Sequence, residues 1–287
     1  MGHEKVNSKI SSLPVILDAP IGLEQVVDAC WNVFQSENPV VMLELPGVYG
    51  LIAPGTRLGV EALDRTKSRL PGKTYGSVIG RIQSFCHLVE PGALPSELIQ
   101  EPALLERMSG AFIRANISNR VDQRSAVIAH GTHQGLLLPQ GAMSAFFVRL
   151  EERLEQKQRE SHSRADEDWS SLGLFGGKNH SAILATSANL SGDPLGSITD
   201  ENRARDFVMQ NRISLWIHKK ALESESTVHS TEKGSFPILE VHGGLAWVRR
   251  EGPGLSRILK QLPTSIQLVR ETETLSIGPK IQRGNHK

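Results

Sequence analysis

The chain is poor in cysteine, almost neutral, and without a long apolar run. Two cysteines in 287 residues, Cys30 and Cys86, exclude a disulfide framework, and their spacing fits no metal cluster. Both lie in apolar surroundings, which predicts reduced core residues. A formal net charge of +1 excludes capture of nucleic acid or membrane by bulk charge, so any cationic site must be local. No stretch reaches the ~18 consecutive apolar residues that a membrane span requires. Residues 1–12 lack the apolar region of a secretory signal, so the expected location is the cytoplasm. What is present is 39% hydrophobic and 22% charged residues, the balance of a globular protein with a sizeable core.

Hydrophobic spacing then orders the chain. Pro20 opens a helical pattern in which Leu23, Val26, Val27, Cys30 and Phe34 share one face, closed by Asn38-Pro39. Val40–Leu43 reads as a buried strand, followed by a turn at Pro46-Gly47 and by Val48-Tyr49-Gly50-Leu51. A second helix over about Val60–Thr66 leads into a basic loop, Lys67-Ser68-Arg69-Leu70-Pro71-Gly72-Lys73. Strand, loop, helix and basic loop form an α/β signature. Further strands are expected at 77–79, 110–114, 126–129, 135–138 and 213–217, with a turn and then a helix over 91–106 running on through Met108. His130 and His133 lack a third ligand at metal spacing. Residues 141–156 read as a helix whose charged later part, including Glu155, is solvated. Residues 157–180 read as an inserted polar loop. Asp200 caps a helix through Phe207, and Gly243-Gly244 turns a hairpin that precedes a last helix at 255–262. The expectation is one α/β domain over 14–263 with flexible tails at 1–13 and 271–287.

Two stretches carry the chemistry. The apolar run Ala182-Ile183-Leu184-Ala185 leads into Thr186-Ser187-Ala188-Asn189-Leu190-Ser191-Gly192. This places hydroxyl and amide side chains at the carboxyl end of a strand, where open α/β sheets bind ligands and backbone N–H groups approach anions. The plain alternative is an ordinary turn. The basic loop is the second stretch. Its Gly72-Lys73-Thr74 mimics the end of a phosphate-binding loop, but position 67 holds Lys rather than Gly and the loop follows a helix, so that motif is rejected. Lys67 and Arg69, two residues apart, could face one pocket and hold a polyphosphate; the plain alternative is a solvated basic turn.

In order, these pieces resemble the YrdC/TsaC family of threonylcarbamoyl-AMP synthases. Thr186–Gly192 matches T-S-A-N-x-S-G, Lys67-x-Arg69 with Pro71 is similar to K-x-R-P, and Val48-Tyr49-Gly50-Leu51 to the close of P-T-[DE]-T-x-Y-G-L. Ser226-Thr227-Val228 resembles a late S-T-V, and Arg250-x-Gly252 resembles R-P-G. The resemblance implies a YrdC-like twisted mixed β-sheet flanked by helices around a large positively charged cavity. It implies condensation of L-threonine, bicarbonate and ATP, with Mg²⁺, into threonylcarbamoyl-AMP and pyrophosphate. That product serves N6-threonylcarbamoyl modification of adenosine 37 in tRNA, through a carbamoyl-transferring partner enzyme. It further implies that Lys67, Arg69, Ser187, Asn189 and Arg250 contact ATP, and that Tyr49, Ala185 and Ser226 contact substrate. No catalytic side chain and no protein metal ligand is nominated.

The departures lie on the amino-acid side. P-T-[DE]-T falls on Glu44-Leu45-Pro46-Gly47, so its threonines and acid are missing; V-R-x-P falls on Leu136-Leu137-Leu138-Pro139, so an arginine becomes Leu137. Three readings follow: a carbamoyl-adenylate synthase acting on threonine or another amino acid; a non-catalytic relative binding nucleotide, tRNA or double-stranded RNA; and an unrelated α/β binding domain.

Overall fold

Strand pairing far apart in sequence builds the molecule. The computed structural model describes residues 13–69, 73–118, 128–129, 131–162, 182–222 and 232–269. β2 (Val41–Leu45) and β3 (Val48–Pro54) form an antiparallel hairpin in which Leu45 pairs with Val48 and Leu43 with Gly50. β8 (Ile183–Ser187) is inserted between β3 and β4 (Gly76–Ile79), antiparallel to both. β4 continues in parallel onto β7 (Thr132–Leu137), and β7 pairs antiparallel with β5 (Ala111–Asn116). β10 (Ile238–His242) and β11 (Leu245–Arg250) extend the sheet as the expected hairpin, with Gly243 and Gly244 at φ 56° and 87°. Positive φ at both turn residues matches the twist of the flanking strands and favours glycine. β1 (Val15–Leu17) and β9 (Leu215–Ile217) close one edge, β12 (Gln267–Leu268) the other, and β6 (Ile128–Ala129) pairs with β7 off the main path.

Helices cover both faces of this mixed sheet, as expected for the α/β class. On one face, α1 (Leu23–Phe34) and α5 (Ala142–His162) contribute Val26, Cys30, Phe146 and Leu150 to a core with Leu43, Ile52 and Ile183. On the other, α2 (Arg57–Lys67) and α6 (Glu201–Gln210) bury Leu63 and Phe207 with Leu51, Leu184 and Trp216. Asp200 caps α6 by accepting the Arg203 N–H at 3.1 Å. A third cluster forms between α3 (Ile82–Leu88), α4 (Ser96–Gln100), a 3₁₀ turn (Pro102–Met108) and α8 (Leu255–Lys260). A short α7 (Lys219–Leu222) follows β9. Cys30 and Cys86 are buried free thiols, as read from the sequence, and burial pushes both up, Cys86 to about 11. Among the described residues no helix is long and apolar enough to cross a membrane.

Three expectations need correction. The helix expected to end at Gln156 runs to His162, so the start of the expected loop at 157–180 is helical; 163–181 lie outside the described residues. The charged part of that helix is not all solvated: Glu151, Glu155 and Gln158 are buried, and Arg81 pairs with both glutamates. Glu151 also accepts the Gly80 N–H at 2.6 Å and the Arg81 N–H at 3.0 Å, while burial pushes it up to about 7. The helix expected before Met108 is two pieces, because Pro102 lacks the N–H that a continuous helix needs. The tails expected at 1–13 and 271–287 fall, except for Leu13, outside the described residues, as do Leu70–Gly72, His130 and Ser226–Val228.

Candidate functional site

The two stretches singled out in the sequence meet. β8 ends at Ser187, paired with Gly50, and the chain then turns. The Ala188 N–H donates to the Tyr49 carbonyl at 2.8 Å, and the Ser191 N–H donates to the Lys67 carbonyl at 2.9 Å. Lys67 is the last residue of α2, whose start is capped by Thr56 accepting the Gly59 N–H at 3.0 Å. Its Nζ donates to the Ser187 carbonyl at 2.6 Å, the Asn189 carbonyl at 2.5 Å and Asn189 Oδ1 at 3.3 Å. Ser187 Oγ donates to the same Oδ1 at 2.5 Å. Lys67 is only 3% exposed, and burial, helped by Arg69 and Lys73 and opposed by Asp193, pushes its ammonium down to about 7. It is an internal clamp on the hydroxyl/amide turn.

Ser68 follows in the left-handed region at φ 46°, which turns the chain out of α2 and aims Arg69 elsewhere. Arg69 donates from Nε to the Lys73 carbonyl at 3.3 Å and from Nη2 to the Thr74 carbonyl at 2.5 Å. Its guanidinium lies 4.2 Å from the ring centroid of Tyr75. That ring is anchored by its hydroxyl donating to Asp64 Oδ1 at 2.5 Å. The basic loop is thus folded around its own arginine.

Both stretches border a cavity of about 270 Å³. Arg69, Lys73, Thr74, Thr186 and Ser187 form one wall; Gly50, Gly76 and Ala185 form the floor. Leu45, Val48, Tyr75, Phe112, Leu136 and Phe236 line the rest, with Gln134, Ser235 and Arg250 between them. Three lining side chains are basic, and none is acidic among the described residues. Arg250 donates from Nε at 3.0 Å and Nη2 at 2.6 Å to the Phe236 carbonyl, with burial first and Arg114 second pushing it down. Two polar neighbours are already engaged: Gln134 Oε1 accepts from Arg114 Nη2 at 3.0 Å, and Ser235 Oγ lies 2.5 Å from Ser197 Oγ.

Of the residues proposed from sequence, Arg69, Ala185, Ser187 and Arg250 line this cavity. Lys67 and Asn189 lie behind its wall, joined to each other. Tyr49 faces the other side of the sheet, because β3 alternates and presents Val48 and Gly50 to the cavity. Its ring packs edge-on to Trp216 at 5.8 Å, and burial, then Glu44, push it up to about 12. Ser226 is outside the described residues. Lys73, Gln134, Ser235 and Phe236 were not anticipated. No group of three metal-ligating side chains occurs among the described residues, and His133 is a buried partner of Ser77, 2.8 Å away.

No protein-family model matches the chain, and no curated protein matches it by sequence. Solved structures do match by fold. P. abyssi Sua5 in complex with L-threonine aligns over 90% of this chain at 16% identity and TM-score 0.58. E. coli YciO aligns over 84% of this chain and 96% of its own length, at 12% identity and TM-score 0.52. The fold is YrdC-like. Full-length HypF in its phosphate- and nucleotide-bound form aligns over 81% of this chain but 29% of its own, at 15% identity and TM-score 0.51. The chain spans 63% of the Sua5 structure, so this YrdC-like unit matches just under two thirds of that protein. The sequence has diverged far within the shared fold.

Proposed function

We propose that the protein is an ATP-dependent enzyme that makes a carbamoyl-adenylate from an amino acid, bicarbonate and ATP. The observation that carries this reading is the gathering of Arg69, Lys73 and Arg250 around one cavity edged by Ser187, with no acidic side chain among its described lining residues. ATP carries about four negative charges, and guanidinium and ammonium groups are its natural partners. Arg69 and Arg250 would hold phosphates, Ser187 and Asn189 would border the reacting phosphoryl group, and Lys67 would fix the turn that presents them. Ala185 forms the floor beside the substrate, Tyr49 supports the turn through its carbonyl, and Ser226 is assigned to the substrate region by resemblance. Mg²⁺ would be liganded by the phosphates and water, since the described lining residues offer no carboxylate. Solved structures of Sua5 with L-threonine and of HypF with phosphate and nucleotide support the pairing of ligands.

The chemistry needs positioning more than acid–base groups. The amine nitrogen bonds to the bicarbonate carbon, one C–O bond of bicarbonate breaks, and water leaves carrying the amine proton, giving a carbamate. A carbamate oxygen then attacks the α-phosphorus, the bond to the bridging oxygen breaks, and pyrophosphate leaves with the electron pair. Charge builds on the phosphoryl oxygens, where nearby cations stabilise it. The product is a reactive mixed anhydride, so a carbamoyl-transferring enzyme must consume it. Formation of threonylcarbamoyladenosine at position 37 of tRNA, or a paralogous pathway in the cytoplasm, is the setting. Incubation with ATP, Mg²⁺, bicarbonate and individual amino acids tests this: pyrophosphate release should require both bicarbonate and an amino acid. ATP binding without release on any amino acid would instead make the protein a nucleotide- or double-stranded-RNA-binding relative.

A further inference from the structure

Five apolar side chains line the cavity, with Gln134, Ser235 and Arg250 between them. Leu45, Val48, Phe112, Leu136 and Phe236 belong to one cluster, with Phe112 and Phe236 edge-to-face at 6.4 Å. Two floor glycines make room for it. A Cβ on Gly50 would lie 2.9 Å from Leu45 Cδ1, and a Cβ on Gly76 would lie 2.7 Å from Phe112 Cε1. Both side chains therefore lie across the sheet surface rather than standing off it. The polar groups interleaved with the five already have partners: Gln134 Oε1 accepts from Arg114, Ser235 Oγ meets Ser197 Oγ, and the Arg250 guanidinium donates to the Phe236 carbonyl.

We propose that the amino acid taken by this cavity has an aliphatic or aromatic side chain, seated on Leu45, Val48, Phe112 and Phe236. The inference rests on the reading that nucleotide and amino acid share the cavity, and it deepens that reading by naming the substrate class. A threonine hydroxyl placed on this wall loses water and meets methyl and ring carbons; a leucine or phenylalanine side chain gains contact at every carbon. Pockets of this kind separate ligands differing by one methylene by roughly 10- to 200-fold.

Calorimetric titration of the protein, saturated with a non-hydrolysable ATP analogue and Mg²⁺, tests the seat apart from turnover. L-leucine or L-phenylalanine should bind at least about ten-fold more tightly than L-threonine or L-serine. Equal or tighter binding of threonine or serine, or no binding of any of the four, overturns the inference. Leu45→Thr should shift the leucine-to-threonine affinity ratio toward threonine several-fold, and an unchanged ratio in the folded variant also overturns it. If that variant does not fold, the wild-type ratio decides. Pyrophosphate release is measured in parallel: apolar amino acids that bind but give no release with bicarbonate remove the enzymatic reading while leaving the apolar seat in place.

Discussion

The turn around Ser187 and the hairpin around Leu45 border the same cavity and are built by opposite means. The turn is held by directed polar contacts: one ammonium bonds three oxygens, and backbone N–H groups bond Tyr49 and Lys67 carbonyls. The hairpin wall is held by packing, with Leu45, Phe112 and Phe236 in one apolar cluster. A directed network fixes a few atoms tightly and fails sharply when one partner is lost. Apolar packing tolerates change in proportion to the volume altered. Under the proposed function, ligand roles would divide along the same line: the polar side suits charge that must be placed within tenths of an ångström, and the apolar side suits selection by size and shape.

The largest effect should come from the clamp. Lys67→Ala leaves the Ser187 and Asn189 carbonyls without their donor in a half-buried position, and the cost should be about 3 kcal/mol of stability, read from the urea midpoint at constant m. ATP affinity should fall with it, because the turn loses its shape. Arg69→Ala is the contrast. Among the described residues its hydrogen bonds go to its own loop, it stacks on Tyr75, and it lines the cavity. It should weaken ATP binding about ten-fold while costing under about 1 kcal/mol of stability. Equal stability losses in the two variants would erase the distinction between clamp and ligand-facing cation.

The apolar side should respond more mildly. Gly76→Ala places a Cβ 2.7 Å from Phe112 Cε1 and 3.1 Å from Gln134 Nε2. The ring must shift, at a cost of about 1–3 kcal/mol typical of overpacking. Amino-acid affinity should fall more than ATP affinity, as measured by titrating each ligand separately. A larger loss for ATP would place Phe112 on the nucleotide side.

The sequence disclosed these two regions unequally. Thr186–Gly192 follows an unbroken apolar strand, and Lys67 with Arg69 ends an amphipathic helix, so hydrophobic period and polar break located both. That Lys67 would turn inward and Arg69 outward was not visible, because it depends on Ser68 adopting φ 46°, rare for a residue other than glycine. Strand alternation could have moved attention from Tyr49 to its neighbours Val48 and Gly50. Nothing local marks Phe236 or Gln134: β8 lies between β3 and β4, and β7 between β4 and β5, so the cavity is assembled by pairings between distant segments. β1 escaped because three residues carry no period, and α3 although Ile82, Phe85 and Cys86 hold a helical one. Arg81, itself half-buried, gave Glu151 and Glu155 a partner, which no pattern within α5 reveals.

The smallest effect separates the two sides by protons. Burial pushes Lys67 down to about 7, whereas an unfolded lysine titrates near ~10.4. Between those values the unfolded chain binds more protons than the folded one, so raising pH through this window increases the stability contributed by Lys67. ATP acts in the opposite sense. A polyanion arriving beside the turn favours the ammonium form and pulls its titration upward, so binding at pH 8 should take up a proton, approaching one per site. Calorimetry in two buffers of different ionisation enthalpy reads this directly, and ATP affinity should decline as pH rises from 7 to 9. Amino-acid binding on the apolar wall should show no such uptake. Lys67→Met should abolish the uptake, and its persistence in that variant would assign the proton to another group.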